Sequence, residues 1–256
     1  MNRTGLIIAL AIVVVAGLAF ALYPEIDLRV ARRFYAVVDA GSNAFAWRIY
    51  PPAMIARDAG LWIGALLIAP AVMALLVKLI GPRRKLLIPG RAIVFLLATL
   101  ALGPGLLVNV VLKEHWGRPR PIDVTQFGGS QHFVVWWDPR GDCPGNCSFV
   151  SGDVAGAFWT MAPAALTPPQ WRAIAYGAAL ALGTGMAVIR VMAGGHFPSD
   201  VIFAGIFTFL IIWIVYALIY RWPRTRLSDE DVERAIERLA MPVCNFFTRL
   251  FGSSPK

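Results

Sequence analysis

The sequence predicts an all-α integral membrane protein: a bundle of six membrane-spanning helices with a surface helix and a cytoplasmic tail helix. Hydrophobic residues make up 58% of the 256-residue chain and charged residues only 15%, whereas soluble domains have about 45–50% and about 25%. The mean hydropathy is +0.64. The apolar residues are also concentrated in runs, several of them near the length of about 20 residues that a bilayer requires.

Five apolar runs are long enough to span a membrane: Gly5–Tyr23, Gly60–Ile80, Ala92–Leu112, Trp171–Ile189 and Val201–Tyr220. A sixth run, Val154–Leu166, is shorter and rich in alanine. Small residues let helix backbones approach closely. We therefore expect this sixth segment to be a helix inside the bundle rather than one that faces lipid.

The first run has a second interpretation. Arg3 precedes it, and Ala19-Phe20-Ala21 near its end has the pattern of a signal-peptide cleavage site. Its apolar stretch is longer than that of a usual signal peptide. The sequence leaves cleavage open, and cleavage would not change the orientation of the other spans.

Two further helices are expected outside the spans. Residues 24–50 carry too many charges to cross a membrane, but Val30, Phe34, Val37 and Val38 recur at near-helical spacing, which indicates a helix on the membrane surface. After the last span, Ser228 and Asp231 resemble a capping box. The apolar residues that follow share one helical face. They are Val232, Ala235, Ile236 and Leu239. We therefore divide the chain into a membrane domain, residues 1–226, and an amphipathic tail, residues 227–256.

The net charge of +9 is typical of basic flanks that face anionic lipid. Because no soluble segment interleaves basic and aromatic residues, no nucleic-acid partner is expected. The positive-inside rule places the N-terminus, the basic loop at Arg83–Lys85 and the tail in the cytoplasm. The loops at 24–57 and 113–140 then place a comparable number of basic residues outside.

Three polar clusters stand at the ends of the spans. The first runs from Lys113 to Pro121, the second from Ser148 to Asp153, and the third from Arg190 to Asp200. Alternation of the spans puts all three on the same side of the membrane. Ionisable residues at span ends are costly and indicate function.

Together the clusters contain the components of a phosphate site. Lys113, Arg120 and Arg190 supply cations suited to phosphate oxygens. Ser151-Gly152 opens a helix whose free N–H groups favour an anion. His196 supplies a nucleophile. Asp200, one helical turn further on, is expected to orient its ring.

We assign no function to the remaining histidines, His115 and His132. No metal or other cofactor is predicted, because three cations would repel a divalent ion and the carboxylates do not cluster. Cys143 and Cys147 are four residues apart in the long loop. In an oxidising compartment we favour a disulfide between them over two free thiols. Two cysteines without nearby histidines fall short of a zinc site.

These residues resemble the tripartite signature of the type-2 phosphatidic acid phosphatase superfamily. The resemblance rests on Lys113-x6-Arg120-Pro121, Ser151-Gly152 and Arg190-x5-His196-x3-Asp200, and covers about half of the chain. It implies a metal-independent six-helix bundle, with the site at the outer membrane face in bacterial members. It also implies His196 as the nucleophile, Asp200 as its orienting partner, and phosphate binding by Lys113, Arg120, Ser151, Gly152 and Arg190.

The chain departs from the family pattern in two places. Ile189 stands where the family usually has serine, a minor change. Asp153 stands where the family has the histidine that protonates the leaving group. A helix N-terminus and nearby cations depress a carboxyl pKa, so Asp153 is expected to be ionised until a phosphate binds. Either Asp153 acts as the acid only in the substrate complex, or leaving-group protonation matters less here, which would favour a lipid diphosphate.

The sequence therefore predicts a bacterial inner-membrane lipid phosphatase that acts at the periplasmic face through a phosphohistidine. Lipid A phosphate is the favoured substrate because residues 147–153 are most similar to bacterial lipid A phosphatases. Undecaprenyl diphosphate and phosphatidic acid-type lipids follow. A lipid phosphotransferase with the same site, a transporter and a non-enzymatic lipid-binding scaffold are the alternatives. The oligomeric state is left open.

Overall fold

The structure, a computed structural model, describes residues 3–38 and 42–251. The side chains of residues 37, 38, 42–44 and 243–251 lie outside this description, and Cys244 is among them. In chain order the helices are α1 (Arg3–Leu22), α2 (Glu25–Arg32), α3 (Pro51–Ile80), α4 (Gly90–His115), α5 (Gly152–Trp159), α6 (Met161–Leu166), α7 (Pro169–Met192), α8 (Pro198–Arg221) and α9 (Asp229–Phe251).

Five of these helices are long and apolar enough to cross a membrane: α1, α3, α4, α7 and α8. Four of them contain a predicted run in full, and α1 covers all of the first run except Tyr23. This confirms the all-α membrane class. In α4 the segment Ala101–Leu112 is π-helical. Pro104 lies within this segment, and its carbonyl accepts a hydrogen bond from Asn109 Nδ2 at 2.8 Å. Proline lacks the N–H that a regular α-helix uses at this position, and the wider turns accommodate it in α4.

The predicted sixth span is a pair of short helices, α5 and α6, separated at Thr160. Together they are shorter than the roughly 20 residues that cross a bilayer, and most of their side chains are buried, as the small residues predicted. The ring of Phe158 lies where Gly183 of α7 and Gly205 of α8 have no side chain. A Cβ there would be 2.5 Å and 2.8 Å from the ring. Two glycines thus let α5 pack closely against two long helices.

The predicted surface helix is only partly present. α2 ends at Arg32, and Tyr35–Val38 (β1) pairs antiparallel with Ser42–Phe45 (β2), with Tyr35 opposite Phe45. The prediction was wrong beyond Arg32, because valines and aromatic residues fit a pleated strand better than a helix. A 3-10 turn, Ala46–Arg48, leads from the hairpin into α3.

The chain divides into two compact units, Met1–Gly64 with Thr99–Trp213 and Ala65–Ala98 with Ile214–Lys256. The first unit has a buried core that includes Val108, Phe149, Val154 and Phe203, with Trp136 stacked on Phe203 at 4.3 Å between ring centres. Core residues Phe149 and Val150 stand between Ser148 and Ser151 in the sequence. The core therefore anchors the backbone that carries the second polar cluster.

In the second unit, the tail helix α9 is fixed by ion pairs. The ammonium group of Lys78 is buried and donates to Glu233 at 3.0 Å and to the carbonyl of Arg84 at 2.8 Å. Arg91 donates to both oxygens of Asp229. The hydroxyl of Ser228 accepts the N–H of Asp231 at 3.0 Å, which confirms the predicted cap.

The predicted disulfide between Cys143 and Cys147 is present and closes a small ring within the long loop. Its backbone is tied to the first polar cluster. Cys147 N–H donates to the carbonyl of Lys113 at 2.8 Å, and Cys143 N–H donates to that of Gly117 at 3.0 Å. Gly117 has φ +69°, and a Cβ there would lie 2.7 Å from a neighbouring carbonyl oxygen, so this turn requires glycine.

Candidate active site

The structure brings the three polar clusters together. Lys113 is in the last turn of α4, Arg190 in the last turn of α7, and His196 in the loop between α7 and α8. A Cβ on Gly152 of the second cluster would lie 3.6 Å from Lys113 Nζ of the first, and the ring of His196 in the third cluster contacts the carbonyl of Ser148 in the second. The three clusters, which were predicted to lie on the same side of the membrane, are therefore in direct contact.

His196 is held as a neutral imidazole. Its side chain is only 2% exposed, and Nδ1 lies 2.7 Å from the carbonyl oxygen of Ser148. Because a carbonyl only accepts, Nδ1 carries the proton, and Nε2 keeps its lone pair. Burial, followed by the positive charges of Arg190 and Arg120, lowers the pKa of His196 well below its usual 6.5. The ring is therefore ready to act as a nucleophile.

Asp200 supports His196 indirectly. Its carboxylate accepts hydrogen bonds from Ser148 Oγ at 2.6 Å and from the Phe197 N–H at 2.8 Å. The ring contact that sequence spacing suggested for Asp200 is instead made by the Ser148 carbonyl. The reason is that His196 lies before α8 rather than within its first turn, so a four-residue spacing does not stack the two side chains. Asp200 thus fixes the residue that holds the ring.

A buried arginine joins Asp200 to the N-terminal part of the chain. Arg118 is fully buried, pairs with Asp200 and lies 2.7 Å from Asp27 of α2. Asp27 also accepts from the N–H of Ser199 at 2.9 Å and from its hydroxyl at 2.6 Å. The guanidinium carbon, Cζ, lies 4.7 Å from the centre of the Phe197 ring. Sequence analysis assigned no role to Arg118 or Asp27, although Arg118 is within the first polar cluster.

Three of the residues predicted to bind phosphate, Arg190, Arg120 and Lys113, are close enough to His196 for their charges to act on it. Arg120 is oriented by Asn146, whose carbonyl accepts from Nη2 at 2.7 Å. Burial lowers the pKa of Arg120, and the positive charge of Arg48 acts in the same direction, while Asp123 opposes it. The buried hydroxyl of Ser151 has no hydrogen-bond partner among the residues that the structure describes. A buried, unused hydroxyl beside several cations is suited to an anionic ligand.

Asp153 lies between two guanidinium groups. Its Oδ2 is 2.7 Å from Arg57 Nε and 3.3 Å from Arg190 Nε. These two charges stabilise the ionised carboxylate, as expected from the sequence. Arg57 belongs to α3 and was missed, although a charged residue just before the apolar run at Gly60 is an available signal.

The arrangement suits phosphoryl transfer. Its cations can bind a phosphate and stabilise the charge on its oxygens, and a neutral histidine stands among them. Across the described part of the chain, no group of three or more His, Cys, Asp or Glu side chains is placed to hold a metal ion.

Comparisons with known proteins agree with this chemistry. The model of a family described as the PAP2 superfamily matches residues 92–224. The chain is 35% identical over 226 residues to a lipid A 4'-phosphatase of Francisella tularensis subsp. novicida, a match that covers 86% of this chain and 98% of the relative. It is 41% identical over 122 residues to a lipid A 4'-phosphatase of Rhizobium leguminosarum, which covers 48% of this chain and 52% of the relative.

A lipid A 1-phosphatase of Rhizobium etli is 34% identical over 152 residues, covering 54% of this chain and 60% of the relative. No solved structure gives a significant match. The long match to the Francisella protein extends well beyond the residues that the family model covers.

Proposed function

Because the chain belongs to the PAP2 superfamily and is a multi-pass bacterial membrane lipid phosphatase, we propose that it hydrolyses a phosphate monoester on the sugar headgroup of lipid A. The 4'-phosphate is the favoured position, on the names of the relatives in two genera. The observation that carries the mechanism is the neutral His196, whose Nδ1 is held by the Ser148 carbonyl and whose ring is under the positive charges of Arg190, Arg120 and Lys113.

In the proposed reaction, the three cations, the Ser151 hydroxyl and the N–H of Gly152 bind the phosphate. Nε2 of His196 attacks phosphorus in line, and the bond from phosphorus to the sugar oxygen breaks. The imidazole becomes positively charged in the phosphohistidine, and its Nδ1–H hydrogen bond to the Ser148 carbonyl stabilises that charge. Water then attacks the phosphohistidine, which releases inorganic phosphate and restores the neutral ring.

A sugar alkoxide is a poor leaving group and requires a proton. We assign this proton to Asp153. A bound phosphate competes with Asp153 for Arg190 and places negative charge beside the carboxylate, and both changes favour its protonation. Asp153 then protonates the sugar oxygen, and as a carboxylate it takes a proton from the attacking water in the second step. The sequence left open whether Asp153 acts as the acid or whether protonation of the leaving group matters less. The acid role agrees with a sugar phosphate as the substrate.

We place the reaction at the periplasmic face of the inner membrane. The Cys143–Cys147 disulfide beside the site supports an oxidising compartment. A cysteine at exposed position 132 (His132→Cys, with Cys244→Ser) is expected to react with a membrane-impermeant maleimide added to intact spheroplasts. Labelling that occurs only after lysis would contradict this orientation.

Phosphate release by the purified protein in detergent and EDTA tests the function. Lipid A, undecaprenyl diphosphate and phosphatidic acid are assayed side by side, and mass spectrometry identifies the position from which lipid A loses phosphate. We expect release from the 4' position of lipid A to be fastest and to persist in EDTA.

The variant His196→Gln should abolish release, whereas His132→Gln, a change of an exposed histidine in the long loop, should leave it unchanged. Lipid labelled with radioactive phosphate should leave an acid-labile label on the wild-type protein. Dependence on a divalent ion, or full activity of His196→Gln, would refute the mechanism.

A further inference from the structure

The site extends beyond what a phosphate alone requires. A cavity of about 270 Å³ is lined by Arg120 and Arg190, which are predicted to bind phosphate, and also by Trp47, Arg48 and Arg57. One water molecule occupies about 30 Å³, so a cavity of this size has room for much more than a phosphate group. The remaining space adjoins residues to which the phosphate chemistry gives no role, Trp47 and Arg48.

We infer that Trp47 and Arg48 form a subsite for the sugar ring that carries the scissile phosphate. The inference rests on the proposed function and deepens it, because it identifies the residues that distinguish a phosphorylated sugar from a phosphorylated glycerol or polyprenol.

The chemistry of the two side chains fits a sugar ring. Trp47 is 36% exposed, and its ring makes a T-shaped contact with that of Tyr50, with the ring centres 5.1 Å apart. A fixed, partly exposed indole face suits the C–H face of a pyranose ring. Arg48 adds N–H donors beside that face, and these suit the hydroxyl groups or an anionic substituent at the rim of the ring.

The position of the turn Ala46–Arg48 is set by its neighbour, Phe45. The buried ring of Phe45 packs against Gly194, where a Cβ would lie 2.3 Å from the ring. Gly194 is two residues before His196 and has φ +63°. The same ring contacts those of Tyr35 and Phe127 at 5.7 Å and 5.6 Å. Trp47 is therefore held at a defined position relative to the nucleophile.

The direction of the reaction also favours this location. In an in-line transfer, the leaving oxygen lies on the side of phosphorus away from the attacking nitrogen. His196 is buried, and its neighbour Gly195 lines the cavity together with Arg120 and Arg190, so we take the leaving group to extend into this space. Trp47 and Arg48 also precede the segment 92–224 that the family model covers, which is consistent with a role in substrate choice rather than in the shared chemistry.

The test compares two pairs of substrates. Lipid A is paired with phosphatidic acid, and a soluble hexosamine 4-phosphate is paired with glycerol 3-phosphate. We expect Trp47→Ala to lower kcat/KM for the sugar phosphates on the order of 10-fold, mainly through KM, since aromatic contacts contribute on this scale. We expect Arg48→Gln to act in the same direction. Hydrolysis of the glycerol phosphates should change little, and Trp47→Phe should retain most of the activity on the sugar phosphates.

Trp137→Ala is the matched control, because Trp137 is an exposed tryptophan of the long loop that does not line the cavity. Equal losses on sugar and glycerol phosphates, or no loss on either, would overturn the inference alone. Absence of phosphate release from lipid A by the wild-type protein would overturn the proposed function and the inference with it, and this outcome is visible before any variant is assayed.

Discussion

Arg118 is fully buried between two carboxylates, those of Asp27 and Asp200. Its Nη1 also donates to Ser199 Oγ at 2.8 Å, and its Nε donates to the carbonyl of Val134 at 2.8 Å. Through Asp200 and Ser148 this network reaches the carbonyl that holds His196. One guanidinium thus links α2, the long loop and the start of α8.

Replacing Arg118 with methionine is expected to be strongly destabilising. The variant keeps an unbranched apolar stem but leaves two carboxylates buried without a counter-charge, which costs about 3–5 kcal/mol for one broken buried pair. Denaturant unfolding in detergent measures the loss. Arg140→Met is the control, since Arg140 pairs with Asp138 on the exposed surface of the same loop, and no measurable change is expected. Similar losses in the two variants would contradict the assigned role.

The depressed pKa of His196 has a consequence for stability. Below pH 6.5 the unfolded chain binds a proton at this residue, while the folded chain does not until a much lower pH. The folded state therefore loses stability as the pH falls below 6.5, and this effect is absent above it. We expect the melting temperature of the wild type to fall more between pH 7 and pH 5 than that of His196→Gln. Parallel curves for the two proteins would show that the buried ring is not the cause.

The proposed acid role of Asp153 is tested by the leaving group. Asp153→Asn is expected to slow hydrolysis of lipid A by about 10²–10⁴-fold, as is usual for loss of a general acid. Hydrolysis of p-nitrophenyl phosphate should be far less affected, because nitrophenolate leaves without a proton. Equal losses on both substrates would instead indicate that Asp153 only positions Arg57 and Arg190.

Among the elements, the segment between α1 and α3 differs most from the prediction. Its near-helical spacing of apolar residues predicted one surface helix, yet the chain forms α2, a hairpin and a 3-10 turn. Two of these elements supply contacts that support the site: α2 carries Asp27, and the end of the hairpin carries Phe45, which packs against Gly194. Periodicity identifies an amphipathic stretch, but contacts with distant residues decide its secondary structure.

The first half of α9 is expected to depend on its ion pairs. Lys78→Gln leaves Glu233 without its buried partner, so hydrogen exchange of the backbone should become faster from Asp229 to Ala240. The hydrogen bond from Arg91 lowers the pKa of Asp229, and that from Lys78 lowers the pKa of Glu233. Their stabilising contribution is therefore present at neutral pH and is lost as the pH falls through these lowered values.

Arg83→Gln is a suitable control for this experiment, because it removes an exposed basic side chain of the loop that follows α3 without removing either of these contacts. Unchanged exchange rates in Lys78→Gln, or equal acceleration in Arg83→Gln, would contradict the role of the buried pair.

At the scale of the whole molecule, every residue assigned to the site belongs to the first compact unit. The sequence-based boundary at residue 226 remains a prediction. A chain that ends at Arg226 keeps all the site residues but loses Asp229 and Glu233, the partners of Arg91 and Lys78. We expect it to retain phosphatase activity at low temperature and to unfold at a lower temperature. Loss of activity with the helix content of the other segments intact would show that the tail is required for function.

The sequence by itself determined the features that depend on local pattern. Run length predicted the five long helices, and alternation of spans predicted that Lys113, Arg190 and His196 meet on one side. Residue type predicted a basic pocket with a histidine, and a short spacing predicted the Cys143–Cys147 disulfide. These features depend on residues that are close in the chain or on the bilayer thickness, and both leave a signal in one sequence.

The tertiary structure alone decided which groups hold these residues in place. Ser148, not Asp200, contacts the ring of His196, Arg118 pairs with Asp27, and Arg57 pairs with Asp153, across sequence separations of 48, 91 and 96 residues. Such pairs have no periodicity, and many charged residues in the chain are equally plausible partners. Only the packing of the helices brings a particular pair within hydrogen-bond distance, because burial makes an unpaired charge too costly to keep.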